Sequence, residues 1–195
     1  MVRVYLALVD IVPAAVVLVP LHLVFYFSIY RRNLRRSVLC CLFCLYLSAV
    51  FALVGIPNVT YIRPELNLNL IPFRGILEDG KNSILNVALF IPLGMFLPVL
   101  WSRFRRTGAV ALYGLGLSLG IELLQMLTFR ATDVNDLITN VLGTLVGFLL
   151  VKPLAAKHPP LGGNNREAFW LCGLSFAVMF FAHPFLSPWI WDKFL

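Results

Sequence analysis

Long apolar runs alternate with short polar connections along the whole chain. They fall at approximately 4–30, 37–57, 84–102, 108–129, 136–154 and 168–188. About 20 apolar residues cross a bilayer core as a helix, and only helices or closed barrels satisfy the backbone in lipid. The apolarity is continuous rather than alternating, so the pattern predicts helices and not barrel strands. The expected fold class is all-α, a polytopic helical membrane bundle of about 5–6 transmembrane helices. It divides into two N-terminal helices (1–57), a core of an outer loop and three helices (58–155), and a C-terminal helix (156–195).

Composition agrees with the pattern: 60% of the 195 residues are hydrophobic, 13% are charged, and mean hydropathy is +0.87. Such a chain has too little polar surface for a soluble domain. The net charge of +7 therefore reads as topology rather than as a nucleic-acid surface, because basic residues gather in cytoplasmic loops. RRNLRR (31–36), RFRR (103–106) and the segment 152–166, with Lys152, Lys157 and Arg166, are alternate connections along the chain. Placing all three in the cytoplasm puts both termini and the loops at 58–83 and 130–135 outside. The first run is too long for a cleavable leader and lacks its small-residue cleavage site. Cys40, Cys41, Cys44 and Cys172 all lie in apolar runs. There free cysteine acts as a small hydrophobe, and the CxxC at 41–44 implies neither metal nor redox chemistry.

One group of residues does not suit a bilayer. RATDVNDLITN (130–140) brings Arg130, Asp133, Asn135, Asp136 and Asn140 to the start of the fifth run. At about 100° per residue, Ser118, Glu122, Gln125 and Phe129 form one stripe of the fourth helix. Asp133, Asp136, Asn140, Gly143 and Gly147 share a face of the fifth helix, and Asn82, Ser83 and Asn86 share a face of the third. Gly116 and Gly120, on the far side of the fourth helix, form a GxxxG surface for close helix contact. With the orientation above, the polar residues fall in one slab in the outer half of the membrane, with Asp10 of the first run at similar depth.

A carboxylate at the centre of a bilayer costs about 2.5–3.5 kcal/mol on insertion scales, and such groups usually face a bundle interior or a wet cavity. Two readings stand side by side. In one the residues are structural: Asp133 caps a helix, Asp136 lies in its first turn, and the amides bond between helices. In the other they line an outward-facing site, with Arg130 near its mouth. His22 and His183 are expected to be structural, and NVT (58–60) is a glycosylation triplet relevant only to a eukaryotic secretory route. No HExxH, GxSxG or His/Cys grouping is present, so neither a metal nor a cofactor is expected; GLGLSLG (114–120) lies inside a helix and follows no strand.

NLIPF (69–73), NVALFIPLGMFLP (86–98), IELLQ (121–125) and DVNDLITNVLGTLVGFLL (133–150) together resemble the VanZ-like family of bacterial membrane proteins. The resemblance covers about residues 60–152, roughly half the chain. It rests on Asn69, Pro72, Phe73, Asn86, Phe90, Pro92, Gly94, Glu122, Gln125, Arg130, Asp133, Asp136, Asn140 and Gly143. It implies a protein of the bacterial cytoplasmic membrane, in a family named for low-level resistance to the glycopeptide teicoplanin. The expected ligand-binding set is Asn69, Phe73, Asn86, Glu122, Gln125, Arg130, Asp133, Asp136 and Asn140, with the NLIPF loop as cover. The expected partners are membrane lipid and a lipid-linked glycan or the lipoglycopeptide itself, with no nucleic acid. Binding or altering an envelope lipid is one class of function. A membrane enzyme using Glu122 or Asp136 as acid or base, with Arg130 holding an anion, is another. A proton-coupled transporter is a third, weakened by the absence of an evident internal repeat.

Overall fold

The computed structural model describes residues 2–64, 68–69, 71–73, 80–128, 132–161 and 163–194. Helices α1 (Val2–Ser28) and α2 (Leu34–Val54) are followed by a two-residue strand β1 (Leu68–Asn69) and helix α3 (Gly80–Leu100). A 3-10 turn at Ser102–Arg105 leads to α4 (Thr107–Gln125), strand β2 (Thr132–Asp133) and α5 (Val134–Lys157). Helix α6 (Glu167–Ala177) passes through a π-helical turn (Val178–Ala182) into α7 (His183–Phe194). Six segments among the described residues are long and apolar enough to cross a membrane, the last running from Glu167 to Lys193 through α6 and α7. The protein is a multi-pass helical membrane protein, as the apolar runs predict. The fourth helix ends earlier than its apolarity suggests. Thr128 returns both its N–H and its hydroxyl to the Gln125 carbonyl, at 2.9 and 3.0 Å, and this closes the chain into a turn.

The chain divides into two compact units, Met1–Ile62 with Arg166–Leu195, and Arg63–Asn165. In the first unit, two pairs of ionisable side chains join different helices. The Arg36 guanidinium donates to both carboxylate oxygens of Glu167, at 2.8 and 2.9 Å, and lies 4.9 Å from the Tyr30 ring centroid. His183 Nε2 stands 3.1 Å from Asp10 Oδ1. The π-helical turn preceding His183 offers the Phe180 carbonyl to the Val59 N–H at 3.1 Å. All four cysteines are free thiols, with Cys40 and Cys44 buried.

The second unit is organised by small residues. A Cβ on Gly143 would collide with the Val87 carbonyl, one on Gly147 with the Ile91 carbonyl, and one on Gly94 with the Thr144 carbonyl. Helices α3 and α5 therefore touch backbone to backbone. The pairings Val87 with Gly143 and Ile91 with Gly147 advance together, so these helices run parallel. On α4 the close contact is made by Gly114, against the Thr144 side chain. The expected packing surface at Gly116 and Gly120 is corrected: a Cβ at either meets no described atom within 4 Å. The GxxxG spacing marks a face that is available for close approach, but α4 turns the Gly114 and Ser118 side of the helix inward.

Two substitutions separate these roles. Gly143→Ala is expected to lower the thermal midpoint of the purified protein in detergent, with an overpacking cost of about 1–3 kcal/mol. Gly116→Ala is expected to leave it unchanged or raise it slightly, since alanine is the better helix former by up to about 1 kcal/mol. Equal effects of the two changes would contradict the close α3–α5 contact.

Candidate functional site

The polar residues of the second unit meet where the start of α3, the end of α4 and the start of α5 come together. Asp133 is their hub. Its side chain caps α5 by accepting the Asn135 N–H at 2.8 Å, and Asp or Asn is favoured there because a helix start leaves amide donors without partners. Its second carboxylate oxygen accepts from Asn69 Nδ2 at 3.0 Å. Its own backbone N–H donates to Glu122 Oε2 at 3.1 Å. One residue thus ties together β1, α4 and α5, beside the parallel pairing of Leu68 with Thr132 and Asn69 with Asp133.

A second bond joins α3 to α5: Asn86 Nδ2 donates to Asp136 Oδ1 at 2.7 Å. One turn deeper on α5, Asn140 Nδ2 donates to Ser118 Oγ at 2.9 Å, and Ser118 lies one turn before Glu122 on α4. Glu122, Gln125, Asn140 and Ser118 are buried, whereas Asn69, Asn86, Asp133 and Asp136 are partly exposed. The cluster has a reachable rim and a buried base. At that base Asn140 Oδ1 has no hydrogen-bond partner among the described residues.

Most of the residues expected at the site are brought together. Asn69, Asp133 and Glu122 are joined by hydrogen bonds, Asn86 is bonded to Asp136 and Asn140 to Ser118, and Gln125 lies buried on the Glu122 stripe. Phe73 joins only through its backbone: its N–H donates to Asn135 Oδ1 at 2.7 Å while its ring is 70% exposed. Phe73 has a φ of 64°, a left-handed conformation that few non-glycine residues adopt. Arg130 lies outside the described residues, as does Phe129. Asp10, expected at the same depth, belongs to the first unit and faces His183. Asn135 was not among the expected binding residues, although it is 5% exposed and anchors the NLIPF segment. Thr144 was missed as well. It is fully buried, donates to the Asn140 carbonyl at 2.9 Å and contacts both Gly94 and Gly114. Spacing from Asn140 gives the Thr144 face, but nothing local announces its two glycine neighbours.

The fold and this cluster define a multi-pass membrane protein with a polar assembly at one end of a three-helix unit. The sequence model of the VanZ/LLP1 family matches residues 39–156, and the chain belongs to that family. Protein VanZ of Enterococcus faecium is 37% identical over 97 residues, which cover 48% of this chain and 57% of that protein. The match thus spans little more than half of that relative's length. No solved structure matches the chain.

The Glu122 contact can be tested apart from any function. Glu122→Gln keeps a side-chain oxygen for the Asp133 N–H, while Glu122→Ala removes it and leaves a donor whose desolvation costs about 1–3 kcal/mol if unpaired. Amide hydrogen exchange at Asp133 should stay slow in Glu122→Gln and become fast in Glu122→Ala. Unchanged protection in the alanine variant would mean that Glu122 does not hold this amide.

Proposed function

We propose that this protein works in the bacterial cytoplasmic membrane, with the polar cluster on its external face. There it binds or alters an envelope lipid or glycan and gives low-level protection against lipoglycopeptides such as teicoplanin. The orientation rests on the arginine- and lysine-rich connections, which face the cytoplasm in this reading. The choice of antibiotic rests on family membership and on the likeness to Protein VanZ. The observation that carries a binding role is the graded cluster itself. Partly exposed carboxylates and amides lead to a buried base where the Asn140 acceptor has no described partner. Buried polar atoms are nearly always paired, so an unmatched acceptor beneath a reachable rim suits an assembly that receives a hydrogen-bonding ligand. Carboxylates and carboxamides together suit hydroxyl- and amide-bearing groups, the chemistry of a glycan or glycopeptide.

Teicoplanin susceptibility tests this reading in cells expressing wild type, Glu122→Gln or Asp136→Asn at equal membrane abundance. Wild type should protect, and both variants should return cells to the susceptibility of the empty strain. Full protection by both variants would reduce the carboxylates to scaffold.

A second reading has one observation in its favour. Glu122 is buried and Asp136 is partly exposed on the neighbouring helix, and carboxyls in unlike surroundings can divide acid and base roles. In this reading the protein is a membrane enzyme acting on a lipid-linked substrate. Incubating purified protein with a labelled envelope lipid distinguishes the two. Product that depends on Glu122 and Asp136 favours the enzyme, while binding without product favours the first reading.

A further inference from the structure

The turn between α1 and α2 lies outside the polar cluster and has no part in the function proposed above. RRNLRR (31–36) provides four arginines, and the chain holds no acidic residue between Asp10 and Glu65. Arg36 is committed to Glu167. Arg31, Arg32 and Arg35 are exposed, and none has an ion-pair partner among the described residues.

Charge alone would satisfy the rule that cytoplasmic loops are basic; the geometry of this turn goes further. Arg31 and Arg32 both have left-handed backbone, with φ of 49° and 61°, where glycine or asparagine would be less strained. The turn is also firmly built. The Tyr30 and Arg32 N–H groups donate back to Phe25 and Tyr26 at 2.8 Å, Asn33 N–H donates to Tyr30, and the Tyr30 ring is 2% exposed beneath Arg36.

Large apolar side chains next to these cations in the chain are exposed as well. Phe27, Ile29, Leu34 and Val38 are 59%, 43%, 63% and 46% exposed, and the Arg32 guanidinium lies 5.9 Å from the Phe27 ring centroid. Three exposed cations on a hydrogen-bonded turn, flanked in the chain by exposed apolar side chains, match a molecule with an anionic head and hydrocarbon chains. We propose that this turn is a binding site for an anionic phospholipid, with Arg31, Arg32 and Arg35 on the headgroup phosphate and Phe27, Leu34 and Val38 against the acyl chains. The other arginine turn offers fewer cations: of its three arginines Arg105 donates to the carbonyls of Pro98 and His158, which leaves Arg103 and Arg106.

The test titrates the full chain, purified in neutral detergent, with phosphatidylglycerol or phosphatidylcholine and reads bound lipid by native mass spectrometry. Wild type is expected to prefer phosphatidylglycerol. Arg31→Gln/Arg32→Gln/Arg35→Gln should weaken that binding about tenfold or more, since each basic residue near an anionic headgroup contributes appreciably. The matching triple lysine variant should keep most of it, and Arg103→Gln/Arg106→Gln should keep all of it. Wild-type binding by the glutamine triple would overturn the proposal. So would an equal loss in the lysine triple, or an equal loss on changing Arg103 and Arg106. Displacement of the lipid by inorganic phosphate at equal concentration would also overturn it, by making the site one for free phosphate.

Discussion

The backbone contact between α3 and α5 is the constraint on which the second unit depends. Gly143, Gly147 and Gly94 let two parallel helices approach until a carbonyl on one stands where a side chain would begin on the other. In lipid the usual drive to bury apolar surface between helices is absent, and close van der Waals packing takes its place. Within that spacing Asn86 on α3 reaches Asp136 on α5. Because α3 and α5 are parallel, α4 must run the opposite way between them in sequence. Its last turn, carrying Glu122, then lies at the same end as the first turns of the other two.

Asp133 converts that proximity into a connected structure. A helix start in a membrane has amide donors that lipid cannot satisfy. The cap made by Asp133 answers that need locally, while its second oxygen and its N–H reach Asn69 and Glu122. The first unit follows the same physics with different residues: Arg36 is matched by Glu167, and Asp10 by His183. Polar groups that would be costly alone become the links between helices. The cluster around Asp133 differs in its graded exposure, from a partly exposed rim to a buried base.

Helices and polar faces were legible in the sequence because both are periodic. Continuous apolarity gave six spans, and a rotation of about 100° per residue aligned Glu122 with Ser118 and Asp136 with Asn140. What was not legible depends on partners distant in the chain. Asp10 and His183 are 173 positions apart, and no local pattern couples them. Gly116 and Gly120 had the right spacing for helix contact, but the inward rotation of α4 is set by Gly114 and Thr144. The pairing of β1 with β2 was equally hidden, because two-residue strands leave no alternation to read. The end of α4 was misread for a related reason: Met126 and Leu127 are apolar, yet Thr128 closes the turn on Gln125.

The family match helps to separate shared features from those that it does not cover. It spans residues 39–156 and so includes Asn69, Asn86, Glu122, Asp133, Asp136 and Asn140 together with the three glycines of the α3–α5 contact. A polar cluster and the packing that positions it are therefore contained in one matched region. The arginine turn at 31–36, and α6 and α7 with Glu167 and His183, fall outside it. Chemistry common to the family is best sought in the second unit, where backbone contact fixes the polar groups in place. The charged pairs and the basic turn belong to the other unit, so a change there can alter how the chain meets its bilayer without touching any hydrogen bond of the cluster.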